Sequence, residues 1–129
     1  LIFGAPGIDA QALVTDLRAR EIPGVNFVPR VFRPEFQKHA GQICGGAYIE
    51  VVDPHAFRAL DLGVHVIDAC RRVAPHAFSW RVDAYEFVTD VPAIDLLWGS
   101  TELRETIDAG GDVSPLLERA AEEAASFVP

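Results

Sequence analysis

The sequence is poor in several residue types, and each shortage narrows what the chain can do. Methionine is absent, Lys38 is the single lysine, and the cysteines number two. No run of about 20 apolar residues is present, which argues against a membrane-spanning helix. No stretch has the order of charge, apolar segment and small residues that is typical of a secretion leader. The chain opens like a strand already under way and stops without a tail, so we expect it to be part of a longer chain.

The few cysteines and histidines indicate neither a metal site nor a redox centre. There is no Cys-x-x-Cys motif and no His-x-x-x-His spacing, so we predict no bound metal. No glycine motif for a dinucleotide or a nucleotide phosphate is present, so we predict no cofactor. Cys70 continues the apolar stripe of a predicted helix and is interpreted as a small buried hydrophobe. Cys44 is interpreted as a packed free thiol, with a reactive thiol and a disulfide left open.

The net charge of −8 is unevenly distributed along the chain. Residues 1–82 carry nine Arg and Lys against eight Asp and Glu, a balance of +1, whereas residues 83–129 carry two against eleven, a balance of −9. An acidic domain repels phosphate backbones, which argues against nucleic acid as a partner. We interpret the acidic third as the solvated face of surface helices. Asp61, His65, Asp68 and Arg72 share the polar face of one predicted helix, and we interpret that face as a solvated charge ladder rather than a metal site.

Apolar periodicity predicts helices and strands without a strict βαβ rhythm. The predicted helices are Ala10–Arg20 with Asp9 as its cap, Arg58–Val73, Thr101–Ala109, and Ser114 to about Phe127, and Ala93–Trp98 is predicted as a short helix or turn. The predicted strands are Val25–Phe32, Ala47–Val52 and a third within Phe78–Phe87. We therefore predict an α+β fold, with a small mixed sheet packed with several helices in a single domain over residues 1–129.

The segment Phe27–Val52, which we call the arm, is the most promising place for a site. It is rich in aromatic residues, prolines and glycines, and it contains most of the positive charge in this part of the chain. These residues lie in two predicted strands and in the connection between them. The connection between these strands is too rich in glycine and proline for a regular helix or strand. Long irregular connections in compact domains are commonly binding loops or lids. We therefore expect functional side chains here.

The arm also carries an ordered set of motifs. Residues 32–41 read Phe-x-Pro-x-Phe-x-Lys-His-Ala-Gly, and residues 44–46 read Cys-Gly-Gly before a strand. The flanks contain Gly4-Ala5-Pro6, Tyr85-Glu86-Phe87 and Ile94-Asp95-Leu96-Leu97. In their order and spacing, these motifs resemble the C-terminal domain of NamZ-type exo-β-N-acetylmuramidases over nearly the whole chain.

The resemblance implies a function for a larger protein. It implies a bacterial glycoside hydrolase that removes N-acetylmuramic acid from the non-reducing ends of peptidoglycan fragments. In this family a Rossmann-like N-terminal domain supplies the catalytic glutamate, and the smaller C-terminal domain lines one side of the substrate cleft. The expected partners are that missing domain and a peptidoglycan-derived saccharide. The chain should hold no catalytic residue and be inactive alone, in a protein that is periplasmic or secreted.

The resemblance further implies which arm side chains reach the substrate. Lys38 and His39 would hydrogen-bond a sugar hydroxyl or the lactyl carboxylate of N-acetylmuramic acid. Phe32 or Phe36 would stack on the pyranose ring, and Arg30 and Arg33, which the strand alternation directs to solvent, would recognise a carboxylate. The alternatives are that both phenylalanines belong to the core and that Lys38 and the two arginines are ordinary surface charges.

Other functions stay open at this point. Glu50 and Glu86 are predicted on outward strand faces and could form an acid–base pair. An exposed face offers little means to shift the pKa of either carboxyl group, so we interpret both as solvated. Beyond catalysis, the chain could be a non-catalytic module that binds cell wall or a small ligand, or a dimerisation domain.

Overall fold

A computed structural model describes residues 1–35, 40–79 and 93–126 of the chain. The chain forms two compact units, Leu1–Phe78 and Ser79–Pro129. The described part of the first unit contains a three-stranded sheet and two helices, and that of the second contains three helices. The predicted α+β class is confirmed. Both strand pairings among the described residues are antiparallel, and the assignment of residues 1–129 to one auxiliary domain stays a prediction.

The sheet has the strand order β1-β3-β2, with β3 in the centre. Its strands are β1 (Ile2–Ala5), β2 (Val25–Phe32) and β3 (Cys44–Val51). The predicted bounds of β2 are confirmed, whereas β3 begins three residues before its predicted start at Ala47.

The early start of β3 has a packing reason. A Cβ atom at Gly45 would overlap the carbonyl oxygen of Ile8, and one at Gly46 would overlap that of Phe3. The two glycines therefore let neighbouring backbone approach the central strand closely. Strand propensity alone reads Gly-Gly as a loop, and here the tertiary contact overrides it.

The first helix, α1 (Ala10–Ala19), covers one face of the sheet. The Asp9 carboxylate accepts hydrogen bonds from the backbone N–H groups of Gln11 and Ala12, which satisfies two donors at the helix start. The buried face of α1 joins the sheet and the second helix in one apolar core. Its buried members from α1 are Leu13, Val14 and Leu17, and those from the sheet include Phe27, Ala47 and Ile49.

The second helix, α2 (Ala59–Val73), matches its prediction to within one residue. A turn precedes it, in which the Asp53 carboxylate accepts a hydrogen bond from the backbone N–H of His55. Leu62 and Ala69 lie on the buried side of α2 and belong to the core of the first unit.

The second unit is helical in its described part. It contains α3 (Ala93–Trp98), α4 (Glu102–Asp108) and α5 (Ser114–Ser126), as predicted to within a residue or two. Its buried apolar residues include Leu103, Ile107, Val113 and Leu117. Most of the predicted third strand, including Tyr85-Glu86-Phe87, lies outside the described residues. In the described ranges, no helix has both the length and the apolar character needed to cross a membrane.

Candidate functional site

Four of the predicted substrate-binding residues divide into two pairs. Lys38 and His39 lie outside the described residues, as does Phe36, so their roles stay predictions. Arg30 and Phe32 both lie on β2, two residues apart, and therefore on the same face of the strand. The structure thus places two of the four on the described part of the arm.

A backbone hydrogen bond closes the connection between the two strands of the arm. Residues 33–43 connect β2 to β3. The N–H of Gly41 donates a hydrogen bond of 2.9 Å to the carbonyl oxygen of Pro34, which joins the two ends of this connection. Gly41 has φ of +77°, a left-handed conformation that glycine adopts without strain.

Phe32 lies at the point where the hairpin ladder ends. Its direct cross-strand partner is Cys44. Phe32 is half-buried, and Cys44 is 1% exposed with a free thiol. The interpretation of Cys44 as a packed free thiol is therefore confirmed. The proposed stacking of Phe32 on a sugar stays a prediction.

Arg30 lies on the exposed face of the sheet, opposite the face that α1 covers. Its guanidinium carbon is 5.6 Å from the centroid of the Tyr48 ring, within the range of a cation–π interaction. Tyr48 is on β3 and is directly opposite Val28, so Arg30 and Tyr48 are diagonal cross-strand neighbours. The direct partner of Arg30 is Gly46, which has no side chain to compete for the guanidinium. The strand alternation predicted the outward direction of Arg30, whereas Tyr48 was not among the predicted site residues.

Arg30 and Arg33, the arginines of the arm, lack the carboxylate partner that most of the other described arginines have. Arg20 and Arg72 both donate to Asp68, and Arg104 donates to both oxygens of Asp95. Within the described residues, neither Arg30 nor Arg33 has a carboxylate partner. The polar contact of Arg30 is with the carbonyl oxygen of Pro29, at 3.3 Å. The exposed face therefore carries positive charge that is available to an anionic ligand.

Glu50 shares this face but lies farther along β3. It is exposed and directly opposite Asn26, whereas Arg30 is opposite Gly46. Four residues of strand separate these two cross-strand rows, about 13 Å at the rise of an extended chain. Its predicted carboxylate companion, Glu86, lies outside the described residues, so a paired-carboxylate site is not tested.

The polar side of α2 forms a buried ion network. Asp68 is 2% exposed, and its Oδ2 accepts hydrogen bonds from Arg20 Nη1 (2.8 Å) and Arg72 Nε (3.1 Å). The same Nη1 of Arg20 lies 3.1 Å from His65 Nδ1, and Arg20 Nε donates to Asp16 Oδ1 at 2.7 Å. The interpretation of this face as a solvated ladder is therefore wrong for Asp68.

The sequence contained only a partial signal for this network. The i, i+4 spacing of Asp68 and Arg72 indicates a helical ion pair. Arg20, however, is 48 residues away from Asp68 and meets it only because the end of α1 packs beside α2.

An apolar cavity of about 270 Å³ lies between β1 and the C-terminal half of α2. Phe3, Ile8, Val66 and Cys70 contribute to its lining. Burial raises the pKa of Cys70 from 9.0 to about 11; the positive charge of Arg20 opposes this rise and the negative charge of Asp16 adds to it. The thiol is therefore protonated at neutral pH and a weak nucleophile. Its predicted role as an apolar packing residue is confirmed, although it is half-buried rather than fully buried.

The described ranges contain no cluster of three or more His, Cys, Asp or Glu side chains that could hold a metal ion. The polar groups on the open sheet face include the exposed Arg30, Tyr48 and Glu50.

Comparison with known proteins gives three concordant matches. The family profile described as "Exo-beta-N-acetylmuramidase NamZ, C-terminal" matches residues 1–128. The peptidoglycan β-N-acetylmuramidase NamZ of Bacillus subtilis (strain 168) is 31% identical over 116 residues. That match covers 90% of this chain and 26% of the relative, so the chain spans about a quarter of its length. The crystal structure of a DUF1343 family protein from Bacteroides fragilis has the same fold, with a TM-score of 0.66 and 21% identity, over 87% of this chain and 28% of that one.

Proposed function

Because the chain belongs to the family of NamZ C-terminal domains, we propose that it is the auxiliary domain of a glycoside hydrolase. That hydrolase removes N-acetylmuramic acid from the non-reducing ends of peptidoglycan fragments. The observation that carries this proposal is the family match over residues 1–128 together with the 31% identity to a peptidoglycan β-N-acetylmuramidase. The chain spans 26% of that relative, so the hydrolytic activity is proposed for the full-length protein.

Within that protein, the chain lines one side of the substrate cleft through the arm. The support is physical: the exposed sheet face carries an arginine without a carboxylate partner in the described residues, next to an accessible aromatic ring. Aromatic rings and charged hydrogen-bond donors are the groups that bind an anionic sugar. Lys38, His39, Phe32 and Arg30 are the proposed contacts, and the catalytic carboxylate lies outside this chain.

The test compares the full-length protein with residues 1–129 alone on a chromogenic N-acetylmuramide. We expect the full-length protein to release N-acetylmuramic acid and residues 1–129 to show no hydrolysis. A full-length protein that binds the sugar without hydrolysing it would replace the proposal with a binding module. A full-length protein that neither binds nor hydrolyses it would overturn the proposal.

Two variants of the full-length protein test whether the arm lines the cleft. Lys38→Ala and His39→Ala should raise KM more than they lower kcat, because a contact made equally in the ground and transition states acts on binding. The effect of His39→Ala should grow as the pH falls towards the titration range of imidazole, where the lost charge matters most. Kinetics unchanged in both variants would remove Lys38 and His39 from the cleft without affecting the family assignment.

A further inference from the structure

The geometry of the exposed sheet face points to a specific ligand group, a carboxylate. We propose that Arg30, positioned by the Tyr48 ring, binds the lactyl carboxylate of the substrate and makes the enzyme prefer N-acetylmuramic acid to N-acetylglucosamine. This inference rests on the proposed function, since it names the substrate group that the arm recognises. The two sugars differ at one position, where N-acetylmuramic acid has a lactyl ether ending in a carboxylate and N-acetylglucosamine has a hydroxyl. Discrimination by charge therefore requires a cation beside that position.

Arg30 has the properties that such a cation needs. It is exposed on an open face, and no ion pair joins it to Glu50, an exposed acid that the structure describes on the same face. Because no carboxylate pairs with it within the described ranges, an incoming carboxylate has no internal competitor to displace there. A guanidinium presents two parallel N–H groups that match the two oxygens of a carboxylate.

Tyr48 restricts where the guanidinium can lie. With Gly46 directly opposite, Arg30 has no side chain beside it in that direction and extends over the ring of Tyr48 instead. Stacking on an aromatic ring limits the rotamers of a long side chain before the ligand arrives, so less conformational entropy is lost on binding. Tyr48 is thus a positioning residue, which acts on the substrate through Arg30.

The location of Arg30 and Tyr48 on a sheet also makes this face better suited than the connection of residues 33–43 to distinguish the two sugars. Arg30 and Tyr48 belong to the regular strands β2 and β3, which are paired along their whole length. Val25 is opposite Val51 at one end of this ladder, and Phe32 is opposite Cys44 at the other. A site on strands holds its geometry more closely than one on a flexible loop. Arg33 also has no carboxylate partner in the described part of the chain, but it follows the end of β2 and has no described aromatic contact.

The experiment uses the full-length protein and two matched substrates. One is a chromogenic N-acetylmuramide with a free lactyl carboxylate, and the other is its methyl ester, which is uncharged. We expect the wild-type protein to prefer the free acid, and Arg30→Gln to raise KM for the acid by about 10- to 100-fold with little change in kcat. For the ester, Arg30→Gln should leave KM within about twofold of the wild-type value. Arg58→Gln is the control, because Arg58 is an exposed arginine on another element. It should leave KM unchanged for both substrates.

Variants of Tyr48 test the positioning role. Tyr48→Phe keeps the ring and should behave like the wild-type protein. Tyr48→Leu keeps an apolar side chain without the ring and should raise KM for the acid by about 2- to 5-fold, the range of an exposed cation–π interaction. It should leave KM for the ester unchanged, which a general loss of structure would not do.

The outcomes separate this inference from the proposed function. If the wild-type protein hydrolyses the substrates but Arg30→Gln affects acid and ester equally, or neither, the inference is overturned and the proposed function stands. If the wild-type protein hydrolyses neither substrate, calorimetric binding of free N-acetylmuramic acid and N-acetylglucosamine decides. Binding of the acid that Arg30→Gln abolishes would support recognition by Arg30 while the hydrolase proposal fails. Absence of preferential binding by the wild-type protein would overturn the inference.

Discussion

Gly46 shows how much a single residue without a side chain contributes to this fold. A Cβ atom there would overlap the carbonyl oxygen of Phe3 on the neighbouring strand β1. The overlap is with backbone, which can move only if the β1–β3 pairing changes. The Cys-Gly-Gly part of the family motif thus has a structural explanation in the close approach of β1 and the start of α1 to β3.

Substitution of this glycine should therefore be costly. Gly46→Ala should lower the free energy of unfolding by about 3 kcal/mol or more, through backbone overlap in a packed region. Gly63→Ala is the matched control, because Gly63 lies within α2 and a Cβ atom there meets nothing within 4 Å. That change should raise the free energy of unfolding by about 0.5–1 kcal/mol, since alanine has the higher helix propensity. Urea unfolding of both variants measures the difference, and similar values for the two would contradict the packing explanation.

At the scale of the elements, the contact between α1 and α2 combines apolar packing with a buried ion network. Leu13, Val14 and Leu17 pack beside Leu62 and Ala69 in the apolar core. At the edge of this core, Arg20 spans the two helices by donating to Asp16 on α1 and to Asp68 on α2. Such pairs add little net stability over a well-packed apolar contact, but removing one partner leaves a buried charge without compensation.

We expect Arg20→Met to lower the free energy of unfolding by about 3 kcal/mol. The variant leaves Asp68 buried with Arg72, whose side chain is 40% exposed, as its remaining described cation. Arg58→Met is the matched control, because Arg58 forms a 3.8 Å pair with Asp61 at an exposed position. It should change the free energy by less than about 0.5 kcal/mol. Equal losses in the two variants, measured by urea unfolding, would show that the buried network has no special role.

At the scale of the whole molecule, charge is divided between the two compact units. Residues 1–78 carry eight Arg and Lys and eight Asp and Glu, a balance of zero, whereas residues 79–129 carry three against eleven, a balance of −8. The first unit contains the arm, the cavity and the buried network. The charge on the second unit keeps it well solvated and unsuited to nucleic acid.

Titration of Cys70 links pH to the stability of the first unit. Its pKa is raised by burial from 9.0 to about 11 in the folded protein. Between these pH values the unfolded chain loses a proton that the folded protein retains, so stability should be unaffected below about pH 9 and fall between about pH 9 and 11. With a discount for its partial exposure, the loss should be on the order of 2 kcal/mol.

The measurement is urea unfolding at a series of pH values from 8 to 11.5, with Cys70→Ala as the control. The variant should lose the part of the alkaline destabilisation that the thiol causes, while the remaining pH dependence should be common to both proteins. Parallel pH profiles for the two proteins would mean that Cys70 retains an ordinary pKa in the folded state.

The sequence by itself determined the helices and the limits of β2, because caps, breakers and apolar periods act over a few neighbouring residues. Asp9 marks the start of α1, and the alternation in β2 predicts both its bounds and the outward direction of Arg30. The motifs from Phe32 to Gly46, together with those of the flanks, indicate the family, since their order along the chain is a property of the sequence alone.

Tertiary structure alone decided which distant groups meet. Strand register places Tyr48 diagonally opposite Arg30, and a shift of one residue would have put the tyrosine on the other face. Helix packing brings Arg20 to Asp68 across 48 residues and turns a predicted solvated face into a buried network. The close approach of the start of α1 to Gly45 and of β1 to Gly46 turns these glycines from predicted loop into central strand. These contacts depend on the relative positions of whole elements, which local patterns of residues do not encode.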